Sequence, residues 1–142
     1  MIKLQNKDLK NAADFLQNTV SAKGKKNVHR MRIVKALENK YKEVGEEEVT
    51  LLKEFAQLDD EGELKRNDAG GFDIEDTKGF NEAHKALYDE YFVIDDKNLE
   101  SALKTVEKLV NDYDKELSGK HAEAHFILIE AFEENNTEED AE

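Results

Sequence analysis

The chain has 142 residues, 38% of them apolar and 39% charged, with no cysteine and a formal net charge of −13. That length suits one domain with a real core. The lack of cysteine excludes a disulfide framework and a thiolate metal site, and fits a reducing compartment. Apolar runs such as Phe126–Ile129 fall far short of the ~20 residues a membrane span needs, and no apolar stretch of the secretory type follows Met1. The expected location is therefore the cytoplasm, with no membrane partner.

The charge is unevenly spread. Residues 1–42 carry eleven Lys/Arg against three Asp/Glu, a balance of +8, and residues 43–142 carry a balance of −21. Such asymmetry concerns solubility and encounter with charged partners rather than fold. The expectation is that the basic segment packs beside acidic helices of the same chain and is partly neutralised there.

In chain order, Met1-Ile-Lys-Leu4 alternates apolar and polar residues and predicts a short strand. Asn6 or Asp8 can cap a first helix that places Leu9, Ala12, Ala13, Leu16 and Val20 on one face. Ser21-Ala-Lys-Gly24 ends it, Gly24 being able to take the left-handed conformation. A long second helix follows, with Val28, Met31, Val34, Leu37, Tyr41, Val44, Leu51 or Leu52, Phe55 and Leu58 recurring at steps of three and four. Gly45 interrupts this pattern at a cost of about 1 kcal/mol relative to Ala, and one continuous helix is expected. Between Asp59 and Asp76, turn residues flank Glu63–Arg66 and Phe72–Ile74, which predicts a hairpin.

Asp76 or Thr77 opens a third helix through Phe80, Ala83, His84 and Leu87. Tyr91-Phe-Val-Ile94 reads as a strand able to pair with residues 2–4. Leu99, Leu103, Val106, Val110, Tyr113 and Leu117 form the narrow seam of a fourth helix, whose default meaning is packing against the long second one. A fifth helix follows Ser118-Gly119 and is expected to bury Ala122, His125, Phe126, Ile129 and Phe132. From Glu133 onward the chain is acidic without apolar pattern, which predicts a disordered tail, residues 133–142, after a single helical domain of residues 1–132. The fold expected is mainly α: a helical bundle built around a long antiparallel helix pair, with a small antiparallel β element.

Little of this carries catalytic or metal chemistry. His121 and His125 stand one helical turn apart, but Ala122 occupies the position where a zinc-protease helix needs Glu, and no strong third ligand is evident. An EF-hand loop wants Asp at position one when its glycine is at six; Gly62, Gly70 and Gly71 place Gln57, Lys65 and Arg66 there. There is no phosphate-cradling glycine loop after a strand and no serine in a nucleophile elbow, so no enzyme, cofactor or metal is expected. The one notable cluster is basic: Lys23, Lys25, Lys26, Arg30 and Arg32, with His29, at the start of a helix where positive charge opposes the macrodipole. It is the candidate partner-binding site. Direct nucleic-acid binding is disfavoured in a chain this acidic.

The order of features resembles a known group. The Met-Ile-Lys-Leu4 start leads to Lys7-Asp-Leu9, then Lys23-Gly-Lys25 and Arg30-Met-Arg32-Ile-Val-Lys35. Leu51-Leu-Lys-Glu-Phe55, Asp59-Asp-Glu-Gly62, Gly71-Phe72, Phe80-Asn-Glu82 and Glu90-Tyr-Phe-Val-Ile94 follow. This pattern, up to about Phe132, is similar to a family of small uncharacterised phage and prophage proteins of Gram-positive hosts. The resemblance implies a viral origin and a non-enzymatic accessory role by protein–protein contact, in virion or tail assembly. Its implied partners are a phage structural or host protein or a second copy in a homo-oligomer, in the host cytoplasm or on the virion. An acidic mimic of nucleic acid that inhibits a host defence enzyme is the alternative.

Overall fold

The computed structural model describes residues 1–56, 58, 60–63, 74 and 76–141, without the side chains of residues 139–141. It is mainly helical, with one long helix and a two-stranded antiparallel sheet. The elements are β1 (Ile2–Gln5), α1 (Leu9–Asp14, continued by a π-turn at Phe15–Thr19), α2 (Lys25–Phe55), α3 (Thr77–Asp89), β2 (Tyr91–Ile94), α4 (Glu100–Asp112) and α5 (Gly119–Ala141). The chain divides into two compact units. The first is residues 1–41 with 91–142, and the second is residues 42–90.

In the first unit β1 and β2 pair with Ile2 opposite Ile94 and Leu4 opposite Phe92. Period-two alternation turns Ile2, Leu4 and Ile94 inward, and leaves Tyr91 and Val93 exposed. The predicted apolar face of the first helix, Leu9, Ala12, Ala13, Leu16 and Val20, is buried as expected. It shares a core with Phe15, Ile33, Val34, Leu37, Val106, Val110 and Leu128. Phe15 meets Tyr113 (5.6 Å) and His125 (5.7 Å) edge to face, and Tyr113 and His125 lie tilted against each other at 5.9 Å. Gly24 takes its left-handed conformation (φ 58°) directly before α2, and its carbonyl accepts from the N–H groups of Asn27 and Val28. It therefore begins the second helix rather than stopping the first.

Three expectations need correction. The α2 stripe is turned from the one read in the sequence: Arg30, Ile33, Val34, Leu37 and Val44 face inward, while Val28 and Tyr41 are exposed. The α4 seam stops at Asp112, and Tyr113 lies beyond it in extended conformation. The acidic residues after Phe132 continue α5 to Ala141 rather than forming a disordered tail. Glu and Ala are good helix formers, the Thr137 hydroxyl donates to the Glu133 carbonyl (3.0 Å), and Glu138 lies 3.7 Å from Lys3.

In the second unit α2 runs through Gly45 without a break, as expected. Asp76 caps α3: its carboxylate accepts from the Gly79 N–H at 2.9 Å. A side chain at Gly79 would collide with that carboxylate, so the cap requires glycine there. Phe80, His84 and Tyr88 line one face of α3 at steps of four, each ring tilted against the next. Glu48 of α2 accepts from the Tyr88 hydroxyl (2.5 Å) and bonds the His84 Nε2 (3.2 Å). Of the predicted hairpin, residues 64–66, 72 and 73 lie outside the described residues, and Ile74 forms an isolated antiparallel bridge with Ala56.

Candidate partner-binding surface

The structure separates the basic cluster into three parts. Arg30 is turned inward and only 9% exposed. Its Nη1 donates to the carbonyls of Leu16 (2.7 Å), Gln17 (3.1 Å) and Val20 (3.2 Å), and Nη2 donates to Asn27 Oδ1 (2.6 Å). A helix end leaves carbonyls without intrahelical donors and carries partial negative charge. Arg30 answers both needs at the π-turn that ends α1. Its guanidinium is therefore a structural cap and is withdrawn from the surface assigned to it by sequence.

Lys26, one turn before Arg30 and exposed, lines a groove of about 220 Å³ between the start of α2 and α4. Lys104 and Lys108 line the same groove with Thr105, Leu109 and Asp112. Beside it the Thr105 hydroxyl donates to the Ser101 carbonyl (3.2 Å) and accepts from His29 Nδ1 (2.7 Å), which ties α2 to α4. Lys104 and Lys108 escaped the sequence reading. Their signal was there, a four-residue step on the face of α4 opposite Leu103 and Val106, but it read as an ordinary solvated face.

Lys25 and Arg32 form the third part, exposed on the outer face of α2 on either side of Val28. Lys23 is exposed just before the helix. Among the described residues, Lys23, Lys25, Lys26, Arg32 and Lys108 make no ion pair within 4.0 Å, and Lys104 reaches only Glu100 at 3.7 Å. At Lys23, Lys25, Lys26 and Arg32 the expected neutralisation by acidic helices of the same chain does not take the form of direct pairs, whereas Lys3 of the same basic segment lies 3.7 Å from Glu138 of α5. What remains is a concentrated positive surface on an acidic protein, at a helix end whose dipole adds to it.

The histidine pair resolves differently. His125 directs Nε2 to the Val110 carbonyl at 3.0 Å, near the end of α4, while His121 is exposed. Among the described residues no group of three His, Cys, Asp or Glu side chains is placed to hold a metal ion. No described helix is long and apolar enough to cross a membrane. A second concavity of about 220 Å³ is lined in part by Asp95, Asp96, Glu100 and Glu107; of these, Asp96 accepts from the Asn98 N–H at 2.8 Å.

Comparison with known proteins found no matching family model, no matching curated protein and no matching solved structure.

Proposed function

We propose that this chain is a non-enzymatic phage or prophage accessory protein that acts by protein–protein contact in the host cytoplasm or on the virion. The observation that supports this reading is the exposed basic surface at the start of α2, where Lys23, Lys25, Lys26 and Arg32 make no ion pair among the described residues, extended by Lys104 and Lys108. Unpaired cations on an acidic protein steer encounter with a negatively charged surface, and the apolar floor at Leu109 gives such a partner something to bury. The partner expected is an acidic patch on a structural protein.

Affinity capture of the tagged chain from nuclease-treated lysate, with and without phage infection, tests this. Virion or tail proteins should be enriched only after infection, and lost with Lys26→Glu/Lys108→Glu. A chain that captures no phage component overturns the reading.

The second reading, an acidic mimic of nucleic acid, is favoured by one feature. Glu130, Glu133, Glu134 and Glu138 surround a shallow depression on α5. A mimic should enrich a host nucleic-acid enzyme from uninfected lysate and lose it steeply with salt. Salt-insensitive capture would remove it.

A further inference from the structure

Two outward helix faces in the first unit carry the same spacing with opposite charge. On α2, Lys25, Val28, Arg32, Lys35 and Asn39 follow one another at steps of three, four, three and four, and all five are exposed. On α5, Glu123, Phe126, Glu130, Glu133 and Thr137 follow at the same steps, and all five are exposed. At about 100° per residue each set forms one stripe. The apolar member of each is conspicuously open to water: Val28 is 46% exposed and Phe126 59%. Met31 and Ile129 lie half-buried beside them at matching positions, three residues further along.

Phe126 explains the failed expectation for α5. Of the face expected from sequence, Phe132 is buried, Ala122, His125 and Ile129 are half-buried and Phe126 is exposed, and the buried stripe is Ala124, Leu128, Ala131 and Phe132. The helix therefore has two apolar faces, and its own unit covers only one. Alternating steps of three and four are the period by which one helix packs along another.

We propose that the occupant of this second face is the outer face of α2 from another copy of the chain. The two faces supply each other's needs. An antiparallel approach that sets Val28 on Phe126 brings Lys25 level with Glu130 and Arg32 level with Glu123, each to within one residue of rise, about 1.5 Å. In an antiparallel helix pair, flanking positions on the same side of the two seams face each other, so both ion pairs form beside the apolar contact. Met31 falls level with Ala122 on the other flank. Two α5 helices, or two α2 helices, meeting in the same way would oppose like charges.

The contact joins α2 of one copy to α5 of another; it closes as a two-fold dimer where both faces engage the same partner, and otherwise runs head-to-tail into a ring or an open chain. One helix pair buries less than the roughly 1,600 Å² of a standard stable interface, so the assembly is a reversible, concentration-dependent one. The inference rests on the reading of this chain as a contact protein and names one of its partners.

Sedimentation of the full chain from about 10 to about 500 μM tests it, a range suited to weak association. The expected result is a mass that rises with concentration and falls back at high salt. Two double variants should each remain monomeric: Lys25→Glu/Arg32→Glu, with both faces acidic, and Glu123→Lys/Glu130→Lys, with both basic. Mixing them should restore association, since each then meets its complement. Phe126→Ser should weaken self-association about tenfold or more, the scale of a buried aromatic anchor. A wild-type chain that stays monomeric throughout overturns the contact, as does association that survives both double variants or is not restored on mixing. A strict monomer that still captures a phage protein overturns this contact alone. Self-association without any phage component captured removes the assembly reading and leaves the contact standing.

Discussion

The long helix α2 is held in two chemically different ways along its length. In the first unit it is fixed by burial: Ile33, Val34 and Leu37 are fully buried, in a core that also contains Phe15, Val106, Val110 and Leu128. Among the described residues of the second unit the buried apolar ones are Val44, Ala56 and Leu87. There α2 is joined to α3 by the Glu48 carboxylate and by the edge-on contact of Phe55 with Phe80, the first of a row of rings along α3. Burial is non-directional and scales with area, whereas hydrogen bonds contribute modestly in net and depend on each partner. The part of α2 held by hydrogen bonds should therefore open locally at lower free energy than the part held by burial.

The largest effect should come from the first unit. Phe15→Ala removes a fully buried ring that touches Tyr113 and His125, and should cost about 3 to 5 kcal/mol in denaturant unfolding followed by circular dichroism. Next is Arg30→Met, which keeps bulk and removes the donors. It leaves three carbonyls at the end of α1 without their cap and should cost roughly 2 to 4 kcal/mol. The companion Lys26→Met, one turn away in the groove, should change stability little. If the two substitutions proved equal, Arg30 would not be the structural member of the basic cluster.

Arg30 also shows where sequence reading loses its footing. The stripe Val28, Met31, Val34, Leu37 has a sound helical period, and nothing in it reveals that an arginine four residues before Val34 turns inward. That position is decided by carbonyls on another helix, which no local pattern records. The same limit explains Phe126. Apolar residues surround α5, so periodicity identifies a helix and leaves its orientation open. By contrast, β1 and β2, the first helix face, the unbroken α2 and the Asp76 start of α3 were all legible. Each of these rests on alternation, capping or propensity that acts within a few residues. The candidate site was half legible: its α2 lysines stand out in sequence, while Lys104 and Lys108 join them only through packing.

In the second unit a smaller change should separate the two regions. Tyr88→Phe removes the hydroxyl that donates to Glu48 and leaves the stack with His84 in place. The loss should be about 1 kcal/mol, read as a roughly fivefold faster hydrogen exchange of α3 amides. Amides of α1 and α4 should keep their protection. If all three helices lost protection equally, the two units would open as one, and the contrast between them would have no energetic counterpart.

The smallest effect concerns a carboxylate in each unit. Glu48 is met by two side-chain partners, but Asp8, at the start of α1, makes no side-chain capping bond. Burial raises the Asp8 pKa above its ordinary value; Lys7 works against this and Glu123 adds to it. A folded-state pKa above the unfolded one means that the native chain holds the proton more tightly. Any stability from this source is present below the ordinary Asp range and is lost as pH rises through the raised value. Above that point the charged carboxylate is a net cost, so Asp8→Asn, which cannot ionise and still suits a helix start, should raise the thermal midpoint at neutral pH. The gain should shrink toward zero as the pH falls to about 3, where wild-type Asp8 is itself neutral. Glu123→Gln should act in the same direction and more weakly, because it removes only the smallest of the three influences on Asp8. A difference between Asp8→Asn and wild type that stays constant across this range would mean that the gain arises from the cap and not from the buried charge.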